Sequence, residues 1–354
     1  MVMFMKQSHF LVGRLAQTLS VLRSLSLPIA AFALGGFASA VLAQPATTAP
    51  ATQPGGKLVR IQNGFPPGGS ADVLTRLIAE RMRGSYAANV IVENKPGGGG
   101  RTVLEQARSA EPDGNTIVLT PTAMLTIFPH VYRKLGYDTF RDFTAIGSGA
   151  TFVTAITAGP GLPESVRNLK ELLEWARQNP KLASYGSPGA GTSLHFVGTM
   201  LSRLAGNSMN HVPYKGAAPM VQDLLGGQVP LGMVPLGDAV QHARSGKLRV
   251  LATTGPNRSR FLPNVPSTRE AGYADVLAED FFALFVPART PSDVVERLGV
   301  ALRDALKSSE LQERMTQLGL EVRSTTPAEM NAIVRSQFDA WGPIVKASGF
   351  ASEE

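Results

Sequence analysis

The segment Lys57–Arg83 reads KLVRIQNGFPPGGSADVLTRLIAERMR. Its first part, KLVRIQN, is a short apolar-rich run that reads as a strand. Its last part, Ala71–Arg83, carries apolar residues at Val73, Leu74, Leu77, Ile78 and Met82. That spacing puts one apolar face on a helix. Between the two stands GFPPGGS, an elbow stiffened by Pro66 and Pro67 and stripped of side chains at Gly68 and Gly69. Ser70 is placed to be the N-cap of the helix, and Asp72 falls in its first turn.

The same alternation continues along the chain. NVIVEN is the next strand, and Val103, Leu104 and Ala107 mark the helix after Gly100. NTIVLTP is the third strand. Such β-α-β-α-β succession argues for a largely parallel sheet covered by helices. A second series begins near Phe152 with FVTAITA, followed by an amphipathic helix over Val166–Gln178 that stops at Asn179-Pro180. LASYGS, a helix over Thr192–Leu204, NHVPY, a helix from Ala218 to Leu225, VPLGMV and LRVLATT complete it. The C-terminal part offers the strand FFALFVP, two helices between Pro291 and Leu318, a short LEVRST strand, and a last helix opened by Pro327. Proline near a helix start costs nothing, because its missing N–H has no partner there. Two α/β lobes, with the C-terminal portion returning to the first, is the most economical arrangement.

The chain's beginning has a different character. Lys6, Arg14 and Arg23 stand without any acidic residue before an apolar run from Leu27 to Leu42, and the run ends SAVLAQP. Val41 and Ala43 suit the −3 and −1 sites of signal peptidase, so residues 1–43 read as a secretory signal peptide. The apolar run is shorter than the roughly 20 residues a membrane span needs. QPATTAPATQPGG, residues 44–56, reads as a disordered tether. The 354 residues carry 34 basic and 27 acidic side chains, and loss of the leader's three basic ones leaves 31 against 27. The excess is scattered, with no basic block, which excludes nucleic acid as a partner. It suits a protein that meets small anions. With no cysteine, disulfides, thiolate metal sites and cysteine nucleophiles are excluded.

In parallel α/β sheets, ligands bind beyond the carboxyl ends of the strands. The loops expected there are GFPPGGSAD, NKPGGGGRT, TPTAM, YGSPGAGTSLH, PYKGAAP and MVPLGDA. They are rich in glycine and small hydroxyl residues and poor in large charged ones. Such loops bring backbone N–H groups and helix N-termini to a ligand, which suits a carboxylate or phosphate. The tetraglycine run is not a Walker A loop: Lys95 stands where that motif needs glycine, and Arg101 where it needs lysine. Ser187 lies in GSPG rather than in a G-x-S-x-G elbow, and Ser193 and His195 diverge at their spacing on a helix. No catalytic residue, metal ligand set or cofactor is expected. Asp72 has two open roles, ligand contact or local cap.

These residues closely resemble the Bug family, the periplasmic receptors of tripartite tricarboxylate transporters. The resemblance rests on GFPPGGSADVLTRLIAERM, VIVENKPGGGG, PHVYRKLGYDTFRDFTAI, SYGSPGAGTSLHFVGTML, HVPYKGAAPMVQDLLGGQV and FLPNVPSTREAGY in this order, from about Lys57 to Phe350. It implies a type II periplasmic-binding-protein fold with two lobes, residues 57–152 plus 277–354 and residues 153–276. Each lobe would be a mixed, mostly parallel sheet flanked by helices. The implied ligand is a small organic carboxylate: a di- or tricarboxylate, an amino acid or an aromatic acid. The implied site comprises Phe65, Pro66, Gly68, Gly69, Ser70 and Asp72 facing Ser187, Gly191, Thr192, Ser193 and His195. Thr122, Tyr214, Lys215 and Gly216 lie nearby, and Pro235 belongs to a loop that contributes to ligand choice. That loop, Gly232–Leu236, is apolar where relatives carry Phe, Asp, Asn or Ser, which points to a less polar ligand body than citrate. The implied partners are the permease subunits of a transporter, and the implied state is a monomer in the periplasm. Two rival readings are a receptor for a membrane sensor kinase and a secreted hydrolase using Ser187 or Ser193.

Overall fold

The structure is a computed structural model that describes residues 58–206 and 208–351. The expected signal peptide, its cleavage near Ala43 and the tether lie outside the described residues. The first strands and helices follow the opening pattern: β1 (Leu58–Asn63), α1 (Ser70–Met82), β2 (Asn89–Asn94), α2 (Arg101–Ala107) and β3 (Thr116–Pro121). Three one-turn helices come next, α3 (Ala123–Thr126), α4 (Phe128–Val131) and α5 (Thr139–Asp142), before the long strand β4 (Phe143–Ala158). The middle of the chain gives α6 (Leu169–Gln178), β5 (Ser184–Ser187), α7 (Ser193–Leu204), β6 (Asn210–Pro213), α8 (Ala217–Leu225), β7 (Leu231–Pro235), α9 (Leu236–Arg244) and β8 (Arg249–Thr253). The chain ends with β9 (Glu279–Pro287), α10 (Ser292–Leu306), α11 (Ser309–Gln317), β10 (Glu321–Val322) and α12 (Pro327–Ser348).

Sheet order is β2-β1-β3-β9-β4-β7-β5-β6, with β8 and β10 also paired to β4. The βαβ units supply the parallel pairs: β1 with β2 (Ile61 opposite Val92), β1 with β3 (Ile61 opposite Ile117) and β5 with β6 and β7. The pairs made by β9 and β4 are antiparallel. Along Phe143–Val153, β4 pairs with β9; from Thr154 onward it pairs with β7 and β8. One continuous strand therefore serves both lobes.

The expected strand starting near Phe152 is only the distal half of β4, which begins at Phe143. Its proximal half, FTAIGSGAT, hides its strand character because register shifts at Ala145/Gly147 and Ser148/Ala150 break the two-residue alternation.

Local chemistry sets the helix boundaries. Thr192 Oγ1 accepts the His195 N–H to start α7, Asn168 Oδ1 accepts that of Glu171 to start α6, and Thr326 and Glu329 form a reciprocal capping box on α12. On α1, Leu74, Ile78 and Met82 are fully buried against the sheet. Removing such side chains typically costs about 2–5 kcal/mol each. Among the described residues no helix is long and apolar enough to cross a membrane.

Candidate functional site

The strand ends of the two lobes face one another around a small cavity of about 40 Å³. One wall is the elbow after β1 with the start of α1 (Phe65, Pro66, Gly69, Ser70, Ala71), joined by Pro121 at the end of β3 and Ala123 and Met124 after it. Phe152 on β4 and Asp280 and Phe282 on β9 form the floor on that side. The opposite wall is Pro188, the α7 start (Thr192, Ser193, Leu194), the α8 start (Ala217, Ala218), Pro235 and Asp238. No Lys, Arg or His lines it.

The two walls touch. Ser70 N–H donates to Asp238 Oδ1 at 2.8 Å, and Ser193 Oγ donates to Asp280 Oδ2 at 3.0 Å. A Cβ on Gly189 would sit 2.9 Å from Gly99 Cα, and one on Gly216 would sit 2.7 Å from Pro66 Cδ. Gly216 also has φ +112°, a conformation that side chains disfavour. Glycine at 189 lets backbone meet backbone, so the tetraglycine run packs against the facing loop, and glycine at 216 admits the Pro66 ring.

Asp280 is buried and Asp238 is half-buried. Asp280 Oδ1 accepts from Thr122 Oγ1, Ala123 N–H (3.3 Å) and Phe281 N–H (2.8 Å). Burial still raises its pKa above the ordinary carboxylate value, against the pull of those bonds and that of Ser193. Asp238 has fewer donors: burial pushes it up to about 6, opposed by Ser70. Its Oδ2 is buried and accepts no hydrogen bond.

Of the residues expected from sequence, Phe65, Pro66, Gly69, Ser70, Thr192, Ser193 and Pro235 line the cavity. The others do not line it. The expected Ser70 N-cap is corrected: Gly69 holds the cap position and offers no side chain, and Ser70 is the first helical residue. The Asp72 carboxylate works locally, accepting from Gly68 N–H (3.0 Å), Arg76 Nε (3.0 Å) and Asn94 Nδ2 (2.8 Å). Burial alone would raise its pKa, but the bonds from Arg76, Asn94 and Gly68 prevail and hold it below the ordinary range. Thr122 lies beneath the floor, donating to Asp280. Tyr214 turns its hydroxyl to Asp223 (2.9 Å), and burial, helped by that acid, raises its pKa to about 12. Lys215 is exposed outside the cavity, and Gly216 N–H is bound to Pro188 O at 2.8 Å.

Ser187, Gly191 and His195 form the support of the α7 loop. His195 Nδ1 accepts the Gly191 N–H at 3.1 Å, and its ring stacks on His211 with centroids 4.0 Å apart. Ser187 Oγ lies 2.7 Å from His211 Nε2 and donates to Gly189 O at 3.0 Å, so the ring nitrogen is the donor toward the serine. That is the wrong polarity for a general base. Burial lowers His195 to about 3, helped by His211, and lowers His211 itself to about 4. Both rings are neutral packing groups. Among the described residues no group of three or more metal-ligating side chains clusters.

Sequence reasoning missed Asp280, Asp238, Met124, Phe152 and Phe282. Asp238 and Met124 lie within loops expected at the strand ends, whereas Asp280 is the second residue of the strand EDFFALFVP and carries no motif.

The chain matches the tripartite tricarboxylate transporter family receptor over residues 74–350. Among solved structures, it is similar to the periplasmic binding protein BugD (34% identity, TM-score 0.79, 83% of this chain and 98% of that one). A Rhodopseudomonas palustris protein with adipate is 28% identical (TM-score 0.78, 83% and 98% covered). MatC from the same organism, with bound malate, is 26% identical (TM-score 0.77, 82% and 99% covered).

Proposed function

We propose that this chain, which belongs to the tripartite tricarboxylate transporter receptor family, captures a small carboxylate between its lobes and presents it to the membrane subunits of such a transporter. Family membership makes it a periplasmic solute-binding receptor. The lobes are residues 57–152 with 277–354, and 153–276, and they hinge where β4 and the return into β9 cross between them.

The observation that carries the reading is the pair of helix starts at the cavity. Among the described residues, nothing accepts the N–H groups of Ser193, Leu194, Ala217 or Ala218, the first-turn donors that a helix leaves without internal partners. Four such donors at two positive helix ends suit a carboxylate. The adipate and malate of the two R. palustris proteins agree with that ligand class. The protein acts by binding alone. Ligand contacts made better with the lobes together shift the open–closed balance, and only that difference does so. The leader supports export with cleavage near Ala43.

Native mass spectrometry of freshly purified protein, followed by thermal shifts against a carboxylate panel, tests this. Stabilisation by carboxylates at 1:1 stoichiometry is expected; stabilisation by neutral sugars alone would refute it. A pull-down from membranes tests the partner. Recovery of permease subunits is expected, and recovery of a sensor kinase alone would assign the receptor to signalling.

A further inference from the structure

The cavity is asymmetric in charge. At one side the α7 and α8 starts present N–H groups without acceptors. Elsewhere two carboxylates, the half-buried Asp238 and the buried Asp280, line the same space, and no Lys, Arg or His lines it to offset them. Among the described residues, the α1 start keeps the Ala71 N–H without an acceptor but gives its Ser70 N–H to Asp238, so a second ligand carboxylate placed there would meet that acid. The hydroxyls are committed too: Ser193 donates to Asp280, and Thr192 donates to Gly189 O at 2.8 Å.

A ligand with two or three carboxylates would therefore set at least one of them beside these acids without a cation. Like charges close together in a poorly solvated space repel strongly. The buried Asp238 Oδ2, which accepts no hydrogen bond, asks for the opposite group. An unmet buried acceptor is costly, and a donor brought by the ligand removes that cost. The remaining walls, Phe65, Met124, Phe152 and Phe282, are apolar.

We infer that the cleft takes a zwitterion with an apolar body: one carboxylate on the α7 and α8 N–H groups and one ammonium on Asp238. An apolar amino acid has this chemistry. The inference rests on the carboxylate-receptor reading and narrows it, with Asp238 as the specificity-determining residue. A fixed acid beside an ammonium also excludes the dicarboxylates that the relatives' structures hold.

Calorimetric titration of the wild-type protein with leucine and phenylalanine, their deaminated and hydroxylated analogues, and adipate, malate and citrate tests it. At least one amino acid should bind at least about tenfold tighter than its deaminated analogue, the scale of a hydrogen bond to a charged group. It should also bind more tightly than its hydroxyl analogue and than every dicarboxylate. Asp238→Asn, checked for an unchanged melting curve, should bring the amino acid and its deaminated partner within about threefold, roughly the loss of that bond. Tighter binding of a dicarboxylate or hydroxy acid, or no discrimination by amine, would overturn the zwitterion while leaving the receptor reading intact. No binding of any carboxylate would overturn both.

Discussion

Ser193 Oγ donates to Asp280 Oδ2 at 3.0 Å, joining the first residue of α7 to the second residue of β9 across the cavity. The bond holds the lobes together and supplies the sole hydrogen bond recorded to that buried oxygen among the described residues. Ser193→Ala leaves Asp280 Oδ2 without a donor. It should destabilise the closed protein by about 1–3 kcal/mol, read by chemical denaturation in saturating ligand. An unchanged midpoint would mean that water replaces the hydroxyl at no cost.

Gly189→Ala tests the backbone contact between lobes. Gly189 is not among the positive-φ glycines, so alanine strains nothing locally, but its Cβ meets Gly99 Cα at 2.9 Å. Closure should be disfavoured, with affinity reduced at least about tenfold for a penalty near 1.4 kcal/mol. Small-angle scattering should show a larger radius with ligand than for wild type. A wild-type radius and affinity would show that the loops part without cost.

Asp72→Ala separates a support role from ligand contact. It removes the acceptor of Gly68, Arg76 and Asn94 and should lower stability by about 1–3 kcal/mol. Once saturating ligand is present, binding enthalpy should stay near the wild-type value. A lost binding enthalpy with unchanged stability would place Asp72 on the ligand.

Acid should weaken the α7 loop. His195 and His211 are held neutral in the folded protein, at about 3 and about 4, whereas unfolded histidine protonates near 6.5. The unfolded state therefore takes up protons first, and stability falls as pH drops below about 6.5. Asp238, raised to about 6, acts oppositely, favouring the fold as pH falls through 6 toward its unfolded value of 3.8. Comparison of wild type with His211→Asn isolates the histidine: the variant should lose less stability between pH 6.5 and 4. Parallel curves would show that His211 already titrates normally.

The alternating architecture was legible because strand composition and helix periodicity agree segment by segment, from Leu58 to Val322. The glycine-rich loops pointed to the cavity rim for the same local reason. The acids were not legible, since burial depends on partners far away in sequence. Thr122 and Asp280 are 158 residues apart, and Ser70 and Asp238 are 168 apart. His195 was readable as a packed helix residue, but its stacking on His211 needed β6 beside β5. Asp72 had an open role until Asn94, at the end of the neighbouring strand, was seen to donate to it.

The central claim, that a carboxylate sits on helix-start N–H groups that lack an acceptor, is tested most directly by Ala217→Pro. Ala217 is the first residue of α8, where proline fits the backbone, and the preceding Gly216 has no Cβ to clash. The variant deletes one cavity N–H and changes no charge. Calorimetry with the carboxylate released from the native protein should show affinity reduced about tenfold or more, with the ligand-free melting temperature unchanged. Wild-type affinity in a folded Ala217→Pro protein would contradict the account.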